Sequence, residues 1–322
     1  MTDVDLAIVG AGPTGLFAAY YAGFRGLETT LIDALPEAGG QISALYPEKM
    51  IFDVAGFPAV RGRDLVSNLI EQAAQFQPQY RLGVRADGLA YGADARPVLS
   101  LSDGEHLRCG AVLLTAGMGS FTARPLPAAR EFHGTGVRYF VPRLDELNDH
   151  DVVIVGGGDS AFDWAWALRP IARSVTIVHR RDRFRAHAGS VARVRAAEVD
   201  IMVNAEVLRI VGERRVTAVE VRTGEELRTL PADTVVAALG FTADLGSLAD
   251  WGLELSRRHV VVGTTMATNL PRVFAAGDIS DYPGKVRLIA VGFGEAATAV
   301  NNAAVIINPA AHLFPGHSSD HD

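Results

Sequence analysis

A short apolar strand, a glycine-rich turn, a helix and a second strand occur in this chain twice, and few folds accommodate that arrangement. Asp5 to Val9 (DLAIV) runs into Gly10-Ala-Gly12-Pro-Thr14-Gly15, a helical stretch covers Pro13 to Gly26, and Thr29 to Ile32 reads as the next strand. The pattern returns at Asp151. There DVVIV runs into Gly156-Gly-Gly158-Asp159-Ser160-Ala161, a helix passes through Trp164 and Leu168, and Val175 to Val178 is the following strand. Two consecutive strands can lie parallel only if a crossover joins them, and a helix of this length is the usual crossover. Each unit therefore predicts a parallel α/β fold, and the chain contains two in series.

The stretches after the two units are also alike. Residues 82–108 and 203–230 read as small antiparallel meanders, with Asp103-Gly104 and Thr223-Gly224 as turns. Each meander gives way to an apolar strand ending in glycine, AVLLTAG at 111–117 and TVVAALG at 234–240. The last stretch has a strand at Val273–Ala276 and a helix from about Leu288 to Ile306, too little for a third domain. The expected architecture is α/β, with two Rossmann-like dinucleotide-binding domains of three layers (ββα). The second domain, 120–244, is inserted into a discontinuous first domain formed by 1–119 and 245–322.

The glycines specify what such turns hold. In Gly10-x-Gly12-x-x-Gly15, Gly10 makes the tight turn, Gly12 lets backbone approach a pyrophosphate, and Gly15 permits close helix–sheet packing. The pyrophosphate then meets the unpaired amides of a helix N-terminus. Asp33 lies 21 residues after Gly12, where a carboxylate accepts hydrogen bonds from both hydroxyls of a ribose. Counting 21 residues from Gly158 in the second motif instead reaches His179, followed by Arg180 and Arg181. A carboxylate there would repel a 2′-phosphate, whereas guanidinium groups grip one bidentately. The segment 173–195 carries seven arginines against the single Asp182, a density that a solvated charged face would share. Arg180, Arg181 and Arg185 are the candidates for the phosphate, with Gly156, Gly158, Asp159 and Ser160 beneath the pyrophosphate. The second site therefore suits NADPH and the first a nucleotide with a free ribose. Two sites in one chain call for an electron relay, and FAD is the natural occupant of the first. Gly277-Asp278, after the strand VFAA, has the form of a contact to the ribityl–phosphate region of such a flavin.

Composition removes several alternatives. A net charge of -7 provides no global basic field for nucleic acid. The single cysteine, Cys109, excludes a disulfide framework and any CxxC pair, and no metal site is expected. The N-terminus, MTDVDLAIVG, has acids where a signal peptide carries positive charge. No apolar run is read as reaching the roughly 18–20 residues of a membrane span. A cytoplasmic protein with no membrane partner is expected.

With these motifs the chain resembles the pyridine-nucleotide–disulfide oxidoreductases, and within them the thioredoxin reductase branch. Gly39-Gly40-Gln41, Thr115-Ala-Gly117, Gly156 to Ala161, His179-Arg-Arg-Asp182 and Gly277-Asp278 carry that resemblance. That branch has a CxxC pair just before its second glycine motif, where this chain reads Gly136-Val-Arg-Tyr-Phe-Val-Pro-Arg143. Without those thiols a dithiol relay is chemically impossible. Gly40 to Lys49, Asp53 to Pro58, Arg183-Phe-Arg-Ala-His187, Ile279 to Lys285, Gly292 to Ala296 and His317-Ser-Ser319 resemble the thioredoxin-reductase-like bacterial ferredoxin–NADP reductases.

The resemblance implies FAD contacts at Thr14, Asp33, Gln41, Tyr46, Phe121, Asp278 and Ser319, with a backbone contact at Ala86. Tyr46 would stack on one flavin face and His317 on the other, from the neighbouring subunit of a homodimer. On the residues alone, Tyr46 before a proline is a packed loop residue and His317 a tail residue. The implied activity is electron transfer between NADPH and ferredoxin or flavodoxin through FAD, with no side-chain acid or base. A flavin enzyme using a quinone, oxygen or a disulfide protein, or a redox sensor without turnover, would carry the same nucleotide motifs.

Overall fold

The computed structural model describes residues 2–317 and divides into two compact units. Unit 1 comprises residues 1–44, 50–120 and 243–322, and unit 2 comprises 45–49 and 121–242.

Unit 1 opens with β1 (Thr2–Val9), α1 (Pro13–Phe24) and β2 (Thr29–Asp33). The short α2 (Gln41–Leu45), the hairpin β3 (Met50–Ile51) and β4 (Val60–Arg61), and α3 (Gly62–Ala74) come next. Then come β5 (Gln79–Leu82), β6 (Ala86–Tyr91), β7 (Pro97–Leu101) and β8 (His106–Leu114). The sheet has the order β5-β2-β1-β8-β7-β6, parallel from β5 to β8 and antiparallel from β8 to β6. The sequence pattern separates a meander from the apolar strand after it. In unit 1 they are one element, because β8 runs unbroken through Gly110 with β1 along its whole length.

The chain leaves unit 1 through β9 (Ser120–Ala123) and builds unit 2 on β10 (Val137–Arg138), β11 (Asp151–Val155), α4 (Asp159–Leu168), β12 (Ser174–Val178), α5 (Ala188–Ala196) and β13 (Asp200–Met202). The meander β14 (Ala205–Val211), β15 (Ala218–Thr223) and β16 (Glu226–Pro231) precedes β17 (Thr234–Ala237). The parallel sheet is ordered β10-β17-β11-β12-β13. Alternation along β11 makes the three layers. Val152 and Ile154 face Phe162, Trp164, Ala165 and Leu168 of α4, while Val153 and Val155 face Ile210, Val219 and Val221 of the meander. Buried on both faces, β11 is apolar from Val152 to Val155, and Asp151 at its start is paired with Arg173.

The return to unit 1 is made by β18 (Phe241–Asp244), β19 (Leu255–Ser256), β20 (His259–Val261), β21 (Val273–Ala275), β22 (Ser280–Asp281) and α6 (Ile289–Ile307). Strand β21 joins β8 in parallel beyond the point where β7 ends. Helix α6 corrects one sequence expectation: by length and composition it could cross a membrane. It packs on α1, β8 and β21 and holds Glu295 in a buried ion pair, which is the position of a core helix.

The third glycine of the first motif is required by space. A Cβ on Gly15 would lie 1.9 Å from the Gly10 carbonyl oxygen, so α1 approaches β1 more closely than any side chain allows. Gly15→Ala should lower unfolding stability by about 1–3 kcal/mol, the usual cost of overpacking. Gly158→Ala, whose Cβ would meet nothing within 4 Å, should cost less, under about 1 kcal/mol, the difference between glycine and alanine at an N-cap. Denaturant unfolding of the two variants compares them directly.

Candidate nucleotide sites

In unit 1 the β1–α1 turn is closed on three sides by backbone. Gly10 has φ +112°, and a Cβ there would lie 2.5 Å from the Thr115 carbonyl oxygen at the end of β8. The Thr115 hydroxyl donates to the Gly10 carbonyl at 2.7 Å. Gly12 is the N-cap of α1, and Gly40 (φ +58°) comes so close that its Cβ would be 3.0 Å from the Gly12 Cα. Gln41 is next in the chain, its amide facing Gly117. Asp33 ends β2 and braces the turn, accepting the Ala11 N–H at 2.7 Å on one oxygen and the Leu35 N–H at 2.8 Å on the other. Burial raises its pKa, and these two amides, Leu35 then Ala11, oppose the shift. A carboxylate has about four acceptor positions, so two remain for ribose hydroxyls.

Thr14, in the first turn of α1, touches two glycines: a Cβ on Gly277 would lie 2.8 Å and one on Gly292 2.5 Å from its hydroxyl. This contact brings exposed Asp278 beside the N-terminus of α1. Ala86 is buried at the start of β6 and its carbonyl accepts the Ser247 hydroxyl at 2.8 Å. Gly10, Gly12, Thr14, Gly15, Asp33, Gly40, Gln41, Ala86 and Asp278 thus all belong to unit 1. Tyr46 and Phe121 do not. Tyr46 packs on the α4 side of the unit 2 core, next to Lys49, which pairs with Asp163 at 2.7 Å, and Phe121 lies edge-on to Phe241. The tail after α6 is held by Arg25, whose guanidinium donates to Asn301 Oδ1 and to the carbonyls of His312 and Leu313. His317 is exposed and edge-on to Phe314. Ser319 lies outside the described residues.

One part of unit 1 was not assigned from the sequence. Glu295 of α6, 5% exposed, accepts from the Gly277 N–H at 2.7 Å, the Tyr282 hydroxyl at 2.6 Å and the Lys285 ammonium at 2.6 Å, and Lys285 is 2% exposed. The carboxylate pushes the Tyr282 phenol up to about 12. Lys285 also donates to the Gly277 carbonyl, so the pair ties the Gly277–Asp278 turn to α6 from both sides. The signal was available: Lys285 is one of only two lysines in the chain, in a segment otherwise rich in turn residues.

In unit 2 the construction repeats with changes. A Cβ on Gly156 would lie 2.4 Å from the Ala238 carbonyl oxygen beyond β17, as Gly10 meets Thr115 beyond β8. Gly158 caps α4 and faces open space. His179 stands where Asp33 stands in unit 1. Its ring lies over Gly157, where a Cβ would be 2.4 Å from Cε1, and against Phe184 at 5.4 Å. Burial lowers its pKa; a bond to the Arg183 carbonyl opposes the shift, and Arg180, Arg181 and Arg185 add to it, all but the carbonyl favouring the neutral imidazole. The Arg185 N–H donates to the Gly157 carbonyl at 2.8 Å, and Asp159 accepts the His187 N–H at 2.8 Å, which fixes the arginine loop to the glycine turn.

These residues line one cavity of about 1180 Å³ that includes Gly156, Gly158, Asp159, Ser160, Arg180, Arg181 and Arg185. Arg124, Arg130, Arg183 and Arg209 add to its walls. Only Arg209 is neutralised, by Glu220 at 2.6 Å; the other six guanidinium groups have no carboxylate partner among the described residues. A glycine turn, a helix N-terminus and unpaired arginines around one opening fit an anionic dinucleotide. The unit 1 turn, with its carboxylate, fits a ribose that bears no phosphate.

Similarity to known proteins agrees with this geometry. The chain belongs to the pyridine nucleotide-disulphide oxidoreductase family, whose model matches residues 4–303. It is 68% identical over 321 residues to a ferredoxin–NADP reductase of Salinispora arenicola, covering 99% of each chain. A ferredoxin–NADP reductase of Frankia alni is 61% identical, with 98% of each chain covered. Among solved structures, the thioredoxin reductase of T. acidophilum superposes with a TM-score of 0.78 at 26% identity, over 94% of this chain and 98% of that one.

Removing one partner of the buried pair should be severe. Lys285→Met leaves Glu295 charged and buried, and should cost about 3–5 kcal/mol in urea unfolding. Lys285→Met combined with Glu295→Gln should recover most of that loss, because neither partner is then a buried uncompensated charge.

Proposed function

We propose that this chain is a flavoprotein oxidoreductase that transfers electrons between NADPH and ferredoxin or flavodoxin through FAD. The observation that carries the reading is the exchange at one structural position: Asp33 after the first glycine turn, and His179-Arg180-Arg181 after the second, beside a cavity of unpaired guanidinium groups. The names of the relatives, at 61–68% identity over nearly the whole chain, supply the acceptor.

Unit 1 holds FAD through Gly10, Gly12, Thr14, Gly15, Asp33, Gly40, Gln41, Ala86 and Asp278, and unit 2 holds NADPH. The chemistry supplied by bound FAD is the exchange between a two-electron hydride donor and a one-electron acceptor. The protein binds and orients. Asp33 selects the ribose diol, the turn amides face the pyrophosphate, and His179 presents its flanking arginines to the 2′-phosphate. No thiol takes part, because Cys109 is the only one and burial pushes it up to about 12. The family resemblance adds Tyr46, Phe121, His317 and Ser319 as flavin contacts, with His317 contributed across a homodimer. Leu313 and Phe314, 53% and 61% exposed on a tail with no core of its own, support an interface there. The protein acts in the cytoplasm.

Purified protein should be yellow and release FAD on denaturation. Steady-state assays with ferredoxin, flavodoxin and thioredoxin in parallel should give turnover with the first two, and quinone or oxygen as the sole efficient acceptor would replace the ferredoxin reading. NADPH should be strongly preferred to NADH. Arg180→Ala or Arg181→Ala should each reduce that preference about 10- to 150-fold in kcat/KM, the worth of one charge-assisted bond. Equal use of both nucleotides by the unmutated protein would assign the arginines elsewhere.

A further inference from the structure

The unit 2 cavity holds more positive charge than a 2′-phosphate requires, and the charge lies on two sides. Arg180, Arg181, Arg183 and Arg185 come after β12, on one flank of the central strand β11. Arg124 is on the other flank. Its backbone N–H donates to the Gly240 carbonyl at 3.0 Å, and Gly240 lies just beyond β17, the opposite neighbour of β11. Strand β9 before it and Pro125-Leu126-Pro127 after it, with Leu126 buried, hold this backbone, and a residue before proline is confined to extended conformations. The guanidinium is exposed, lines the cavity and has no carboxylate partner among the described residues. A cation fixed at its base and free at its head is built for a ligand.

The order of strands says which part of the ligand it meets. A dinucleotide lies across the C-terminal ends of the parallel strands, its pyrophosphate on the turn after β11 and the N-terminus of α4. With the 2′-phosphate on the β12 side, the nicotinamide half must extend over β17. The only anionic group of that half is its own phosphate. Resting on the NADPH reading of this cavity, we infer that Arg124 grips the nicotinamide-side phosphate, and so anchors the half of the dinucleotide that carries the reactive ring. It is a binding residue blind to the 2′-phosphate, unlike Arg180 and Arg181.

The test uses three probes on the FAD-loaded protein: NADP⁺, NAD⁺ and 2′,5′-ADP. The last has the 2′-phosphate and the adenosine-side phosphate but lacks the nicotinamide-side one. Calorimetric titration of Arg124→Ala should show NADP⁺ and NAD⁺ weakened by the same factor, about 10- to 150-fold, with 2′,5′-ADP unchanged. Arg180→Ala should weaken NADP⁺ and 2′,5′-ADP and spare NAD⁺. Arg124→Lys, which keeps the charge but loses the fork, should recover part of the loss. Equal weakening of 2′,5′-ADP and NADP⁺ by Arg124→Ala, or no change with any probe, overturns the assignment. Failure of 2′,5′-ADP to bind the unmutated protein is a different result, and overturns the NADPH reading itself.

Discussion

Both units depend on one close approach of main chain to main chain. At Gly10 and again at Gly156, the turn leaving a central strand lies against the carbonyl that ends the neighbouring parallel strand, 2.5 Å and 2.4 Å from where a Cβ would be. No L side chain fits between them. That approach sets the height of each helix N-terminus above its sheet, and with it the place where amides face an anion. Thr115 reinforces the first turn by donating to Gly10. The second has only Ala238 at the corresponding place and draws its bracing from the other side, through Gly157 to Arg185 and Ala186.

The two turns differ where their ligands differ, and the differences are coupled. In the first, Ala11 offers its N–H to Asp33, so its own side chain can be present. In the second, a ring replaces the carboxylate, and the position of Ala11 becomes Gly157 because the His179 ring lies where a Cβ would be. The run of three glycines at 156–158 is therefore a consequence of the histidine. The third motif position differs too: Gly15 is pressed on the Gly10 carbonyl, while Ala161 keeps its methyl, fully buried.

Much of this was legible in the sequence because period and punctuation are local. The DVVIV strand, the glycine spacings and the register of Asp33 and His179 needed nothing beyond counting. The continuity of β8 was hidden, because Gly110 reads as a break until Asp5 is seen against it. So was the membrane-length hydropathy of α6, since a single buried glutamate in mid-helix does not announce its partner. Lys285 is ten residues from Glu295, and only the turn at Pro283-Gly284 brings them together. Arg124 carried no motif at all; its meaning comes from a bond to Gly240, 116 residues away.

The tail shows how far a local rule goes before tertiary structure overrides it. The stretch 308–317, with two prolines and a glycine, forms no helix or strand, and its support comes from the body of unit 1. Arg25 supplies it from the C-cap of α1, through a guanidinium that bonds Asn301 on α6 and two consecutive tail carbonyls. Backbone acceptors are what an arginine can hold without regard to the side chains they carry. The tail is thus anchored as main chain as far as Leu313, and beyond that point Phe314 and His317 meet edge-on. The family resemblance implies that a bound flavin orders the tail. The geometry adds a support that needs no ligand: Arg25 holds the tail at the His312 and Leu313 carbonyls.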